Sequence, residues 1–257
     1  MDRPVVDFFF DFSSPWTYLA FVQIQGLAAR LGVAVNYQPI LVGAIFNEVN
    51  TSVYAARASP PPPLKARYGL RDMDEWAEAY GVMIKSPYGH DPPSVFPVNS
   101  ARALRGATFA ERRGLLLPYC WAVFDAYWGR GDDIAQPGVL GAVAESVGLE
   151  RGAFDEWVAC DEAKATLRAA TSECVARGGF GSPSMFVGEH LYFGNDRIPL
   201  LERRLAIAGA QGAPCAPTTA TLEFGVGARR KLIMQHQHQH QQHQQAQMQK
   251  VTTSSKL

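Results

Sequence analysis

The chain has no uninterrupted apolar run of about 18 residues, so no segment is predicted to cross a membrane. Cysteine is scarce and scattered. Cys120, Cys160, Cys174 and Cys215 stand far apart with no Cys-x-x-Cys pair, which argues against a dithiol redox motif. A chain of this size needs no disulfide staples, and the usage fits a reducing compartment. Outside the C-terminal tract the only histidines are His90 and His190, neither at ligand spacing from a cysteine, so no metal site is expected. Net charge is lacking too, with 24 basic and 24 acidic side chains, but the balance hides a split. From Arg229 onward there are five basic and no acidic residues, leaving residues 1–228 at a net of −5. A mildly acidic body argues against nucleic acid as the main partner. A strand pattern begins within five residues of Met1 and leaves no stretch for a signal peptide.

What is present is a globular composition, 47% hydrophobic and 19% charged over 257 residues, enough for one or two domains with a full core. Val5 to Asp11 is short, apolar and aromatic, and reads as a buried strand. It stops at Ser13-Ser14-Pro15. Serine before proline, then apolar residues at Trp16, Leu19, Ala20, Val22, Ile24, Leu27 and Leu31, predicts a helix ending at Gly32. Val33 to Pro39 predicts a second strand, so the three elements form a βαβ unit with a partly parallel sheet.

From residue 43 to 178 the pattern is helical. Pro60 to Pro63 reads as stiff polyproline, a helix is predicted over Asp72–Tyr80, and others over 98–111, 113–128, 136–147, 150–159 and 161–177. The strand signal returns late: Ser184–Val187 and His190–Phe193 around Gly188-Glu189 read as a hairpin. A last helix is predicted from Arg197 to Ile207, capped by Gly194-Asn195-Asp196. The order β-α-β, helical insert, β-β-α predicts an α/β thioredoxin fold with a large all-helical insertion. The thioredoxin-like part is expected at 1–42 and 179–212, the insertion at 43–178. Residues 213–257 are expected to be a disordered, low-complexity tail, because 235–249 hold nine Gln and four His among fifteen positions and cannot build a core. The terminal Ser255-Lys256-Leu257 matches the peroxisomal address motif.

Thioredoxin-fold proteins carry their reactive group at the start of the first helix, where free N–H groups and the helix dipole favour a thiolate. Here that place holds Ser14-Pro15-Trp16-Thr17. Hydroxyls do not exchange disulfides, so the arrangement suits a thiolate supplied from outside. The run from Phe10 to Ala20 resembles the opening motif of the 2-hydroxychromene-2-carboxylate isomerases and the kappa-class glutathione transferases. Gly181–Val187 and Phe193–Arg197 resemble their second and third motifs in order and spacing. The resemblance covers about residues 4–207, and the wider relatives are the DsbA-like oxidoreductases, which share the helical insertion.

The resemblance implies glutathione as cofactor and Ser14 as the catalytic serine that hydrogen-bonds its sulfur, with Ser13 the competing hydroxyl. Such a donor lowers a thiol pKa from its ordinary value of roughly 8.5. It implies a cis Pro183, with the Ser182 backbone pairing with the cysteinyl part. Asp196 and Arg197 match the pair that holds the zwitterionic γ-glutamyl end. Asn50 and Lys65 match an asparagine and a lysine at the glycyl end, Asn47 being an alternative to Asn50. Trp16 and Phe46 are candidates for a pocket taking a small aromatic or electrophilic substrate. No metal is implied.

By that resemblance the expected activity is a glutathione-dependent isomerisation like that of 2-hydroxychromene-2-carboxylate isomerase. The alternatives are a kappa-class glutathione transferase or peroxidase, and a non-catalytic thioredoxin-like adaptor. A homodimer is expected. So is recognition of Ser255, Lys256 and Leu257 by a peroxisomal import receptor if the source is eukaryotic, with a cytoplasmic location otherwise.

Overall fold

A computed structural model describes residues 4–59 and 62–208. Strand β1 (Val5–Phe10) is followed by helix α1 (Pro15–Leu31) and strand β2 (Ala34–Pro39). α1 starts where its chemistry dictates: the Ser14 Oγ accepts the Thr17 N–H at 3.2 Å, and Pro15 occupies the first position, where no N–H is missed. It ends at Gly32, whose φ of +62° is left-handed and whose N–H returns to the Ala28 carbonyl.

The chain then runs through helices α2 (Val42–Val49), α3 (Ser52–Ala58), α4 (Pro63–Ala79), α5 (Ala101–Arg112) and α6 (Leu116–Phe124). A π-helical turn, Asp125–Arg130, leads on to α7 (Pro137–Ser146), α8 (Arg151–Ala159) and α9 (Asp161–Ala176). Strands β3 (Ser184–Val187) and β4 (His190–Phe193), a 3₁₀ turn Asn195–Arg197 and α10 (Ile198–Ile207) complete the described residues. The sheet order is β2-β1-β3-β4. β1 and β2 run parallel with Val5 opposite Ala34, as the α1 crossover requires. β3 lies antiparallel to β1, with Phe8 opposite Met185, and β4 antiparallel to β3. This is a DsbA-like thioredoxin fold.

Side-chain alternation along β1 sorts the core. Val6, Phe8 and Phe10 join Leu19, Ile24 and Leu31 of α1 and Met185 and Val187 of β3 in the main cluster. Phe9 faces the other way, into a smaller cluster with Ile40, Ile45, Cys174 and Phe186. The sheet is therefore buried on both faces, by α1 and α10 on one side and by α2 and α9 on the other.

Three helical expectations need correction. α2 and α3 were not foreseen: they have seven or eight residues and no side-chain cap, so neither a cap signal nor a long periodic run marks them. α4 begins at Pro63, nine residues before Asp72, with that proline in its first turn. Its first half has little apolar pattern, and Leu64 and Tyr68 point to solvent at 75% and 68% exposure. The stretch 113–128 is broken, since α6 ends at Phe124 and the π turn follows. Pro60, Pro61, the Gln/His tract and the terminal tripeptide lie outside the described residues.

α5 packs against α6, α8 and α9, and its closest approach is at Gly106. A Cβ there would stand 2.2 Å from the Tyr119 Oη and 2.7 Å from Phe154 Cε2. Both rings are fully buried, and the Tyr119 hydroxyl is tied to the Ala103 carbonyl. Gly106→Ala is therefore expected to destabilise the fold by about 2 kcal/mol despite the better helix propensity of alanine, read as a lower urea midpoint at unchanged slope.

Candidate active site

The start of α1, the turn before β3 and the turn after β4 meet at one end of the sheet. The Ser14 Oγ lies 3.2 Å from the Ser182 carbonyl oxygen, to which its hydroxyl donates. The Ser182–Pro183 peptide is cis, and so is Phe96–Pro97, which no sequence signal marked. The Ser182 hydroxyl accepts the Asp11 N–H at 2.8 Å and pairs with the Thr17 hydroxyl at 2.7 Å. Ser14 itself is partly exposed. A hydroxyl at an accessible helix N-terminus is a setting for an anion, because the first-turn N–H groups and the dipole favour negative charge there.

Gly194 donates its N–H to the Pro183 carbonyl at 3.2 Å, which brings the Asn195–Arg197 turn to the cis-proline. That turn also packs against α1. Asp196 and Arg197 are half exposed and pair with each other. Such an exposed ion pair contributes little to stability, so both charges are available to a ligand. Asn195 is only 4% exposed, and its side-chain N–H₂ has no acceptor among the described residues. An orphaned buried donor is unusual. In sequence it reads as part of the third motif and of the cap of the last helix, with no ligand role assigned to it.

The remaining candidates are less tightly gathered. The Asn50 amide, at the end of α2, donates to the Phe180 carbonyl at 3.1 Å, so it borders the same loop but is committed to backbone. Asn47 instead accepts the Tyr54 hydroxyl at 2.6 Å. Lys65 is exposed on the first turn of α4, and among the described residues no hydrogen bond or ion pair draws it to Ser14. Phe46 stands beside Gly181, 3.8 Å from where a Cβ would sit. Phe180 and Phe193 complete that apolar corner, their rings 4.4 Å apart. Trp16 is half buried against the main core.

Two further residues of the site lie within the opening motif, which by itself gives them no role. Thr17 is fully buried and holds Ser182 through its hydroxyl. Asp11 is fully buried as well, and burial raises its pKa above the ordinary carboxylate value, opposed by hydrogen bonds from Ser100, Ser13 and Val42. A charged residue closing a run of three phenylalanines was the available signal.

None of the described cysteines lies at this place. Cys120 is on α6 and Cys174 on α9, both buried. Burial pushes the Cys120 thiol well up and the Cys174 thiol to about 11, which leaves both poor nucleophiles near neutral pH.

Residues 5–206 match the family model for the DSBA-like thioredoxin domain. Over 202 residues the chain is 31% identical to a 2-hydroxychromene-2-carboxylate isomerase of Sphingobium xenophagum, spanning 78% of this chain and 97% of that protein. The chain belongs to the DSBA-like thioredoxin family, in the branch of these isomerases and the kappa glutathione transferases. Within that branch it is 26% identical to glutathione S-transferase kappa 2 of Caenorhabditis elegans, over 80% of this chain and 93% of the other. A solved structure of 2-hydroxychromene-2-carboxylate isomerase superposes with a TM-score of 0.65 at 28% identity, covering 79% of this chain and 95% of that one. The curated relatives at this level of similarity are thus named as isomerases and kappa glutathione transferases.

Proposed function

We propose that this DSBA-like protein is a glutathione-dependent isomerase acting on a small, conjugated aromatic substrate. The observation that carries this is the Ser14 hydroxyl at the open N-terminus of α1, 3.2 Å from the Ser182 carbonyl and beside a cis-proline, where no cysteine stands. The donor set fits glutathione. Asp196 and Arg197 offer one charge of each sign for its zwitterionic end, and the orphaned Asn195 amide offers a buried donor for a carboxylate next to them. In this reading the Ser182 backbone pairs with the cysteinyl part as an added strand would.

Glutathione, when bound, would supply a thiolate able to add reversibly to a conjugated carbon, the chemistry that an isomerisation with the cofactor returned unchanged requires. Ser14 turns its hydroxyl from the Ser182 carbonyl to the sulfur and, with the α1 N–H groups, favours the ionised thiol over the neutral one. Thr17 and Ser182 hold each other and keep the two halves of the site in register. Phe46, Phe180 and Phe193 provide an apolar border, and Asn50 stands at the same loop. In this proposal two copies of the chain associate, and Ser255-Lys256-Leu257 addresses the protein to peroxisomes in a eukaryotic source.

Retention on immobilised glutathione and a thiolate ultraviolet difference spectrum on titration are the expected results; a protein that neither binds nor ionises the tripeptide is no enzyme of this kind and is better described as an adaptor. Similarity to a kappa transferase supports a second account, transfer rather than isomerisation. Glutathione consumed in proportion to product decides for transfer, and glutathione conserved decides for isomerisation. Asp196→Ala is expected to raise the glutathione Kd about tenfold, equivalent to about 1.4 kcal/mol, with turnover at saturation nearly unchanged, as steady-state kinetics at varied glutathione would reveal.

A further inference from the structure

We infer that Asp11 is the positioning residue of this site, holding the Ser13-Ser14 turn and Ser182 so that the Ser14 hydroxyl is aimed at the thiol. The inference rests on the proposed use of glutathione. Asp11 follows directly on β1 and is fully buried. A carboxylate persists in such a place only when its oxygens are hydrogen-bonded. One oxygen accepts the Ser13 N–H at 2.8 Å and the other accepts the Val42 N–H, at the first residue of α2, also at 2.8 Å. The hydroxyls of Ser100 and Ser13 face the same carboxylate and favour its charged form. Its own N–H donates to the Ser182 hydroxyl at 2.8 Å.

One residue therefore ties the end of β1 to the starts of α1, α2 and α5 and to the cis-proline turn. Ser100 shows that the arrangement is specific. It occupies the N-cap of α5 and is almost fully buried, yet its side chain caps nothing. Asn99 takes the first free N–H instead, accepting from Ala101 at 3.1 Å, and the Ser100 hydroxyl is left for Asp11. Ser13 is the residue immediately before Ser14, and Ser182 carries the carbonyl that Ser14 touches. Asp11 thus holds the turn before Ser14 through its carboxylate and the Ser182 hydroxyl through its main-chain N–H.

The test compares Asp11→Asn with wild type, alone and combined with Ser14→Ala. The amide cannot accept both backbone N–H groups, because one of its two ends is a donor. The expected results are a bound-thiol pKa about one unit higher in Asp11→Asn, a turnover about tenfold lower, and no further change when Asp11→Asn is added to Ser14→Ala. The sign is diagnostic: simple loss of a nearby negative charge lowers the thiol pKa, whereas a misaimed donor raises it. A downward shift, no shift, or the same tenfold loss in the Ser14→Ala background overturns the inference. If Asp11→Asn does not fold, Ser100→Ala decides, with a two- to threefold loss and a shift of the same sign expected and an unchanged enzyme overturning it. Wild-type protein that fails to bind glutathione removes the proposed function itself. Wild type that binds and ionises the thiol beside an indifferent Asp11→Asn removes only the role of Asp11.

Discussion

Replacing Ser14 by alanine is expected to lower turnover about 100-fold while the protein stays folded. A hydrogen bond from a neutral donor to a charged acceptor contributes about 1.5–3 kcal/mol, and about 2.7 kcal/mol corresponds to two powers of ten in rate. The Ser14 hydroxyl is the side chain that crowns α1 beside Ser182, and the hydroxyl of the nearest alternative, Ser13, faces the Asp11 carboxylate. The same substitution removes a helix cap, since the Thr17 N–H loses its acceptor, at a cost of about 1 kcal/mol. Pro15 still starts the helix, and the buried face of α1, from Tyr18 to Leu31, remains in the core. Turnover and stability should therefore separate. The decisive readings are the thiolate absorbance of bound glutathione, which should disappear near neutral pH, and a urea midpoint shifted only slightly. A variant that keeps both the absorbance and the rate would remove Ser14 from the chemistry.

Trp128→Ala is expected to destabilise the fold by about 4 kcal/mol, a large part of what holds a domain together. The side chain is completely buried in the π-helical turn, between Tyr127 and Phe96, and its Nε1 donates to the Phe12 carbonyl at 2.8 Å. Removing it opens a cavity and leaves that buried carbonyl without its donor. Phe12 belongs to the turn that carries Ser13 and Ser14, so the effect reaches the site. Trp128→Phe keeps most of the volume and loses only the donor. It is expected to cost about 1–2 kcal/mol and to lower turnover more than it lowers glutathione affinity. Denaturation curves and kcat against KM in the two variants separate packing from alignment; equal stability losses in both would show that the Phe12 bond, rather than volume, dominates.

Much of the scaffold was legible in advance, for identifiable reasons. Val5–Phe10, Pro15–Leu31, Ala34–Pro39 and the hairpin at residues 184–193 each have a regular apolar period and a chemical stop signal, Ser14-Pro15, Gly32 and Gly188 among them. Where those signals fail, so did foresight. α2 and α3 are short and uncapped, and the front of α4 presents little apolar face, so local pattern had nothing to register. Within the site, Ser14, Ser182, Pro183, Asp196 and Arg197 belong to motifs and were named, and the fold brings all five to one end of the sheet. Asn195 and Asp11 stand in the same motifs but carry no local sign of a role, because what sets them apart is burial. Asn50 and Lys65 lie in the part of the chain where the period is weakest, and only Asn50 borders the site loop.

The amino-acid sequence determined the order of strands and helices, the start and end of α1, and the replacement of a cysteine by a serine at that helix, since all of these follow from neighbours within a few residues. Only the tertiary structure decided which polar groups lose contact with water. That property depends on segments as distant as Asp11 and Ser182, 171 positions apart and 2.8 Å apart in space. Burial makes the Asp11 carboxylate dependent on Ser13, Val42 and Ser100 and leaves the Asn195 side-chain N–H₂ without an acceptor among the described residues, and no local pattern encodes either.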